Sequence, residues 1–494
     1  MNWTYLLSHC ISSEPYWKTK ALSIDASIRP QSRSPHIQNP WKSLYFEKLL
    51  ERALTRVNWN LKALSPFERL SLKQSACYIE SFTFSGTSVS LDTATTLLSW
   101  FTHVKSLTFF QTNHLLQAVK YQDIECNALH TIQFVDVHLV DKRALPFIPT
   151  CIKEITIDHA RSVTSDFLDG LQTKPLLHTI SITSSGLDPQ AIHAIPQTIH
   201  SLDLTNSGKN LESHVLELLP PHLTHFACGN WTQCGDTETA YLPPTIESLI
   251  LEGWKLTNDG LATIKNLPLT KLTLRNCIST DIQNALRHIP NTIQELDLSG
   301  NAISCLEIHI LKQLTHLKKL ILDSIPLSDQ RVDFPIGLEE LSLAKCSTLS
   351  EATIQNLVTL INLKVLRLSG CGVSNNDLSW LPLKLEFLDL SDCQGITDVG
   401  AMHLERLHSL HTLILDRCEQ IRGFGLAALP HTMRVLSCQG CHRLSGKSLI
   451  HMPKNLQELH LDNCDLIEAS DIQHACGVRL GFLAFGGQKP KSQA

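Results

Sequence analysis

The stretch "LKVLRLSGCGVSNNDLSWLPLKLEFLDLSDC", Leu363 to Cys393, states one pattern twice. Leu363, Leu366, Leu368 and Cys371 return as Leu385, Leu388, Leu390 and Cys393, which gives L-x-x-L-x-L-x-x-C. The alternation at its centre is the two-residue period of a strand: the leucines share one face and the residue between them takes the other. Working outward, the same template fits "LHTLILDRC" from Leu410 and "LQELHLDNC" from Leu456. Its second leucine falls at Leu249, Leu272, Leu296, Leu320, Leu341, Leu366, Leu388, Leu413, Leu436 and Leu459, every 21 to 25 residues. Weaker copies with Ile or Phe in leucine slots lead back through Phe226, Leu202, Ile180, Ile155, Ile132 and Leu107 to Phe82.

These units, about 17 in all, are leucine-rich repeats, and a period of this length is the mark of a solenoid. The expected fold is α/β: a leucine-rich repeat solenoid over residues 78–466, one strand per repeat, with a curved parallel sheet on the concave face. Nine repeats carry Pro three residues before the first template leucine, as at Pro196, Pro243, Pro290, Pro382 and Pro453. Proline stops the convex turn and biases the preceding residue toward extended backbone. Other repeats show a helical period there, as in "ITDVGAMHLERLHSL" from Ile396. From Leu296 to Leu436 the two kinds alternate, so part of the convex side is predicted to be turns or 3₁₀ rather than α-helix.

The template also explains "VLSCQGCH", Val435 to His442, whose Cys-x-x-Cys-His spacing is that of a c-type haem attachment. Leu436 and Cys438 take the two strand slots and Cys441 the terminal slot, which is Cys also at positions 277, 346, 371, 393, 418 and 464. These cysteines read as small buried apolar residues. No haem or other cofactor is expected.

Composition narrows the classes of function. The chain of 494 residues is 43% hydrophobic and carries 42 basic against 47 acidic side chains, a formal net charge of −5. That balance, without a run of like charges, favours neither nucleic acid nor an anionic membrane surface as partner. Nowhere are there the roughly 18 consecutive apolar residues of a membrane span, and the N-terminus lacks the pattern of a secretory signal. The 16 cysteines are therefore read as reduced thiols and the protein as cytoplasmic, in a host cell if it is a secreted bacterial effector.

Residues 1–77 lie outside the repeat and are expected to form a helical cap on the first repeat. Residues 467–487 are expected to cap the last, and 488–494 to be a disordered tail. "CQGITDVGAMHLERLHSLHTLILDRC", Cys393 to Cys418, resembles the cysteine-containing repeats of F-box/LRR proteins, and the LP-type units resemble those of bacterial LRR effectors. "YLLSHCISSEPYWKTKAL" from Tyr5 is similar to the closing part of an F-box, and "NPWKSLYFEKLLERAL" from Asn39 to the segment that often follows it. The resemblance implies a truncated F-box packed by Trp17, Trp41, Leu44 and Tyr45, and a cullin-ligase adaptor as partner at the N-terminus.

Catalytic and metal-binding constellations are not found: the sequence has no phosphate-binding Gly-rich loop, G-x-S-x-G or H-E-x-x-H. Two cysteines outside the ladder, Cys228 and Cys234, leave a thiol-dependent enzyme as the competing class. The main expectation is a non-enzymatic protein-interaction module. On the three outward positions of each strand stand twelve acids (Glu154, Asp158, Asp203, Glu252, Glu295, Asp297, Asp323, Glu340, Asp389, Asp416, Glu458, Asp462) and four bases (Lys271, Arg275, Lys319, Arg367). This face suits a protein with a basic patch, unless it is simply a solvated sheet surface. Val365, Phe387, Ile414 and Val435 place apolar side chains on adjacent strands, with Arg367, Asp389 and Asp416 beside them. An apolar centre with charged borders is the anatomy of a binding hot spot; packing against a loop or the N-terminal segment is the bland alternative.

Overall fold

The computed structural model describes residues 40–86, 89–113, 128–188, 190–208, 213–278, 285–327, 331–347, 349–468, 470–472 and 482–484. They fall into two compact units, Met1–Gln233 with Tyr241–Ile246, and Cys234–Ala240 with Glu247–Ala494. Each is a leucine-rich repeat array built on a parallel sheet. In the first, Phe82, Leu107, Ile132, Ile155, Ile180, Leu202 and Phe226 pair in succession. In the second, the succession runs from Leu249 through Leu272, Leu296, Leu320, Leu341 and Leu366 to Leu388, Leu413, Leu436 and Leu459. The register read from the leucines is the register of the backbone. One strand was not visible as a repeat: Phe482–Ala484, in the segment expected to be a cap, pairs Leu483 with Leu459.

A second regularity runs through the backbone. Four residues after the second template leucine, φ lies between +50° and +79° in every repeat from Gly86 to Asn463. Gly occupies this slot at 86, 253, 300, 370 and 440, and Asn or Asp at 136, 206, 230, 276, 392 and 463, the residues for which the left-handed region costs least. The rest are Gln111, His159, Ser184, Ser324, Lys345 and Arg417. The strand of each of these repeats therefore ends in the same turn, although no single residue type marks it.

Five residues after that leucine comes the terminal slot, and here the sequence reading was incomplete. The cysteines are buried, yet they are more than apolar filler. Each thiol donates to the carbonyl of the inner strand residue of the preceding repeat: Cys346 to Leu322 at 3.2 Å, Cys371 to Leu343 at 3.0 Å, Cys393 to Leu368 at 3.2 Å, Cys418 to Leu390 at 3.1 Å and Cys441 to Leu415 at 3.0 Å. Other donors do the same work at the same slot. Ser207 reaches the Ile182 carbonyl at 2.8 Å, Trp231 that of Leu204 at 3.3 Å, and Asn301 that of Leu274 at 2.5 Å. Most of these carbonyls already accept a backbone N–H within their own repeat, as Leu343 does from Cys346 and Leu368 from Cys371, both at 3.1 Å. The slot's side chain is thus a second donor that links one repeat to the next, and the slot selects a short one that fits the gap. Where Ile325 supplies none, Asn301 also donates to the Leu298 carbonyl at 2.6 Å.

The convex segments follow the two predicted kinds. Helical repeats combine an α-turn with a 3₁₀ turn, as in Glu351–Asn356 followed by Leu357–Thr359 and Asp398–Met402 followed by His403–Arg406. Pro repeats mostly carry 3₁₀, as in Asn376–Trp380 and Phe424–Ala428, and the exception is the α-turn Asp236–Thr239 ahead of Pro243.

In the first unit, helices Pro40–Arg56 and Pro66–Ala76 precede the sheet. Leu44, Leu50 and Leu54 are buried. Ser43 Oγ accepts from the N–H groups of Glu80 at 2.9 Å and Ser81 at 3.2 Å, and one turn later the Glu47 carboxylate accepts from the Thr83 N–H. The longer helix thus satisfies the edge of the Ser81–Ser85 strand, an edge that would otherwise be open to pairing with another chain. Tyr45 is half-buried and meets Phe46 edge-on at 5.1 Å. Trp17 lies outside the described residues, and of Trp41 only the helical backbone is described.

Candidate protein interface

The outward sheet face of the second unit is built by the strands from Ser248–Glu252 to Glu458–His460. Their central leucines are buried while the flanking residues look outward. Parallel register makes rows. Val365 pairs with Phe387, Phe387 with Thr412 and Thr412 with Val435, so these four form one line across adjacent repeats. Ile414 stands in the next line, beside Asp389 and Ser437. The apolar candidates thus form a row of three with Thr412 inside it, and Ile414 borders the row.

The charged candidates have structural engagements. Arg367 places its guanidinium 5.1 Å from the centre of the Phe387 ring and donates to Glu340, which fixes both side chains. Asp389 accepts from the Ser391 N–H at 2.9 Å and caps its own turn. Asp416 accepts from Ser437 Oγ at 2.6 Å and the Gln439 N–H at 2.8 Å, so it stitches two repeats. Asp203, Asp297 and Asp323 bond backbone amides in the same ways. Several of the acids that gave this face its acidity are therefore internal hydrogen-bond acceptors.

All four bases are paired as well. Lys271 meets Glu295 at 3.2 Å, Arg275 meets Asp297 at 2.6 Å, and Lys319 and Arg367 both reach Glu340. Burial opposes ionisation of Glu340, but Lys319 and Arg367 outweigh it and hold the carboxyl below its usual range. The Lys271–Glu295 and Arg275–Asp297 pairs, with Thr273 and Lys319, line a depression of about 230 Å³. Sequence reasoning missed this depression, although Lys271, Glu295, Lys319 and Glu340 alternate in sign at one slot of the template and could have signalled it.

The thiols at the two extra cysteines are sealed off. Cys228 and Cys234 are 0% and 1% exposed, and burial together with Glu238 pushes the Cys234 thiol up to about 12. A thiol so disposed stays protonated at neutral pH and is a poor nucleophile. Cys438 and Cys441 are likewise 0% exposed, whereas His442 is turned outward to Asp465 at 2.9 Å. This geometry leaves the Cys-x-x-Cys-His stretch closed to a haem. Among the described residues no cluster of His, Cys, Asp and Glu is arranged to hold a metal ion, and no helix is long and apolar enough to cross a membrane.

No family model matches the sequence, and no curated protein matches it. Among solved structures, the chain is similar to that in the crystal structure of the TLR13-ssRNA13 complex, with a TM-score of 0.43 and 15% identity over 87% of this chain. The match spans 65% of that chain. The fold assignment rests on the repeat register and the parallel sheets.

Proposed function

We propose that the protein is a non-enzymatic interaction module that holds a protein partner on the outward sheet face of its second unit. The observation that carries this reading is the Val365–Phe387–Thr412–Val435 row, in which a half-exposed aromatic ring is held in place by Arg367. Fixing an anchor before binding lowers the entropy cost of using it. Asp389 and Asp416 stiffen the turns around the row, and the excess of acid on this face favours a partner with a basic patch. Phe387→Ala is expected to weaken binding of a partner captured by the full chain by about 2 kcal/mol or more, with thermal unfolding little changed. If Phe387→Ala unfolds the protein yet leaves residual affinity intact, the residue belongs to the core and the face is not the site.

The more specific form of this reading is a substrate receptor of a cullin-type ubiquitin ligase, supported by the resemblance of the segments around Trp17 and Trp41. Co-purification of a cullin and its adaptor from a eukaryotic lysate tests it. A stable stoichiometric partner without ubiquitin transfer favours a bacterial effector or an assembly scaffold instead. A reducing compartment such as the cytoplasm suits either form, because oxidation of the ladder thiols would remove the donors that link neighbouring repeats.

A further inference from the structure

Three consecutive repeats of the second unit present a large apolar side chain to solvent at one slot. Ile336, Ile361 and Leu383 lie five residues before the second template leucine, in the turn that enters the strand, and are 68%, 64% and 57% exposed. The Leu338 N–H closes the first turn onto the Pro335 carbonyl and the Leu363 N–H the second onto Leu360, which leaves the intervening residue at the tip. Val358 and Trp380, three residues earlier in their repeats, extend the patch at 44% and 42% exposure. In the flanking repeats the slot holds Thr315 and His408, so the apolar character belongs to these three repeats and not to the turn as such. A single exposed apolar residue is ordinary; a contiguous group marks an interaction surface.

What fits it is indicated by the charges alongside. Two residues before the second template leucine stand Lys318, Glu339, Lys364 and Glu386. The N–H of each donates to the carbonyl of the one before, at 2.7, 2.8 and 2.8 Å, so the four are neighbours in that order. Lys364 lies 2.9 Å from Glu339 and Lys318 3.9 Å from the same residue. A row that alternates in sign with an even number of members is its own complement when turned end for end. About a twofold axis between Glu339 and Lys364, Lys318 faces Glu386 of a second copy, Glu339 faces Lys364, and Ile336 faces Ile361.

We propose that this edge of the second unit is the contact between two copies of the chain. It is isologous, with the apolar turn tips packed at its centre and the charge row setting the register. It lies apart from the sheet face used for the partner and stands whether or not that reading holds. Sedimentation of the full chain under reducing conditions across a wide concentration range is the test, with a reversible monomer–dimer equilibrium expected. Ile361→Asp should leave circular dichroism and melting unchanged and hold the protein monomeric; Ile336→Ser gives the same readout through a separate turn should the first variant perturb folding. Lys364→Glu should weaken association by about tenfold through like-charge contact, and the double exchange Glu339→Lys with Lys364→Glu should restore it. A wild-type chain that is monomeric throughout, or a dimer that survives the apolar substitutions, overturns the proposal.

Discussion

The two units solve one backbone problem with different chemistry. In the first, the inner strand slot holds Phe84, Phe109 and Phe134, stacked at 5.4 and 5.5 Å, with Phe147 and Phe167 closing on them from the convex side. In the second, that slot is almost entirely Leu, and the terminal slot beneath it holds the thiol ladder. At the terminal slot the first unit offers Val137 and Ala160, which carry no donor, before Ser207 and Trp231 take up the bond. The first unit therefore joins its early repeats through aromatic volume, and the second joins its repeats through leucine packing plus a directed bond from each cysteine. Both keep the same left-handed turn, which shows that the backbone is the conserved requirement within the array and the side chains are alternative ways to meet it.

The largest effect that could break this comparison lies in the ladder. Cys371→Asp puts a carboxylate in a slot only 3% exposed, between the repeats of Leu341 and Leu366. More than about 4 kcal/mol of the second unit's stability should be lost, read as vanished hydrogen-exchange protection in its strands. Unchanged protection would mean that the slot is not where the register puts it.

Next comes the aromatic stack. Phe109 touches three other rings, and Phe109→Ala should cost the first unit about 3–5 kcal/mol, measured by the exchange of the amides in Thr131–Val135. A loss below about 1 kcal/mol would show that the rings are not what joins these repeats.

A moderate, pH-dependent difference follows from Glu47, whose ordinary carboxyl value of 4.5 is raised to about 7 by burial, against the pull of Lys48. The folded first unit then holds a proton that the unfolded chain releases, so the contribution of Glu47 to its stability is full below 4.5 and is lost as the pH rises through about 7. Protection of the Ser81–Ser85 amides should fall across that window in the native chain and stay level in Glu47→Gln. A parallel fall in the variant would assign the pH dependence elsewhere.

The smallest effect sharpens what the units share. Lys345 sits at φ +59° in the turn slot that other repeats fill with Gly. Lys345→Gly should relieve the left-handed strain and, after the entropy that glycine adds to the unfolded chain, stabilise by about 0.5 kcal/mol in denaturant titration. A loss of stability would mean that the lysine side chain contributes more than its backbone costs.

The sequence by itself determined the repeat, the register and the two kinds of convex segment, because strand alternation and proline are local constraints that each repeat writes out again. The cysteine slot was legible as buried for the same reason. Its hydrogen bonds were not, since the accepting carbonyl belongs to a residue more than twenty positions earlier that only stacking brings within reach. The split of the apolar candidates is legible in the same register, since Val365, Phe387, Thr412 and Val435 each precede the second template leucine while Ile414 follows it, and strand pairing keeps them in those lines. The turn slot was hidden by its variety, because Gln, Lys and Arg carry no signal for positive φ. Tertiary structure also decided which charges are spent. Asp389 and Asp416 look like free outward acids in the pattern, but folded they lie beside amides that need an acceptor, and a nearby unsatisfied donor captures a carboxylate before any partner arrives.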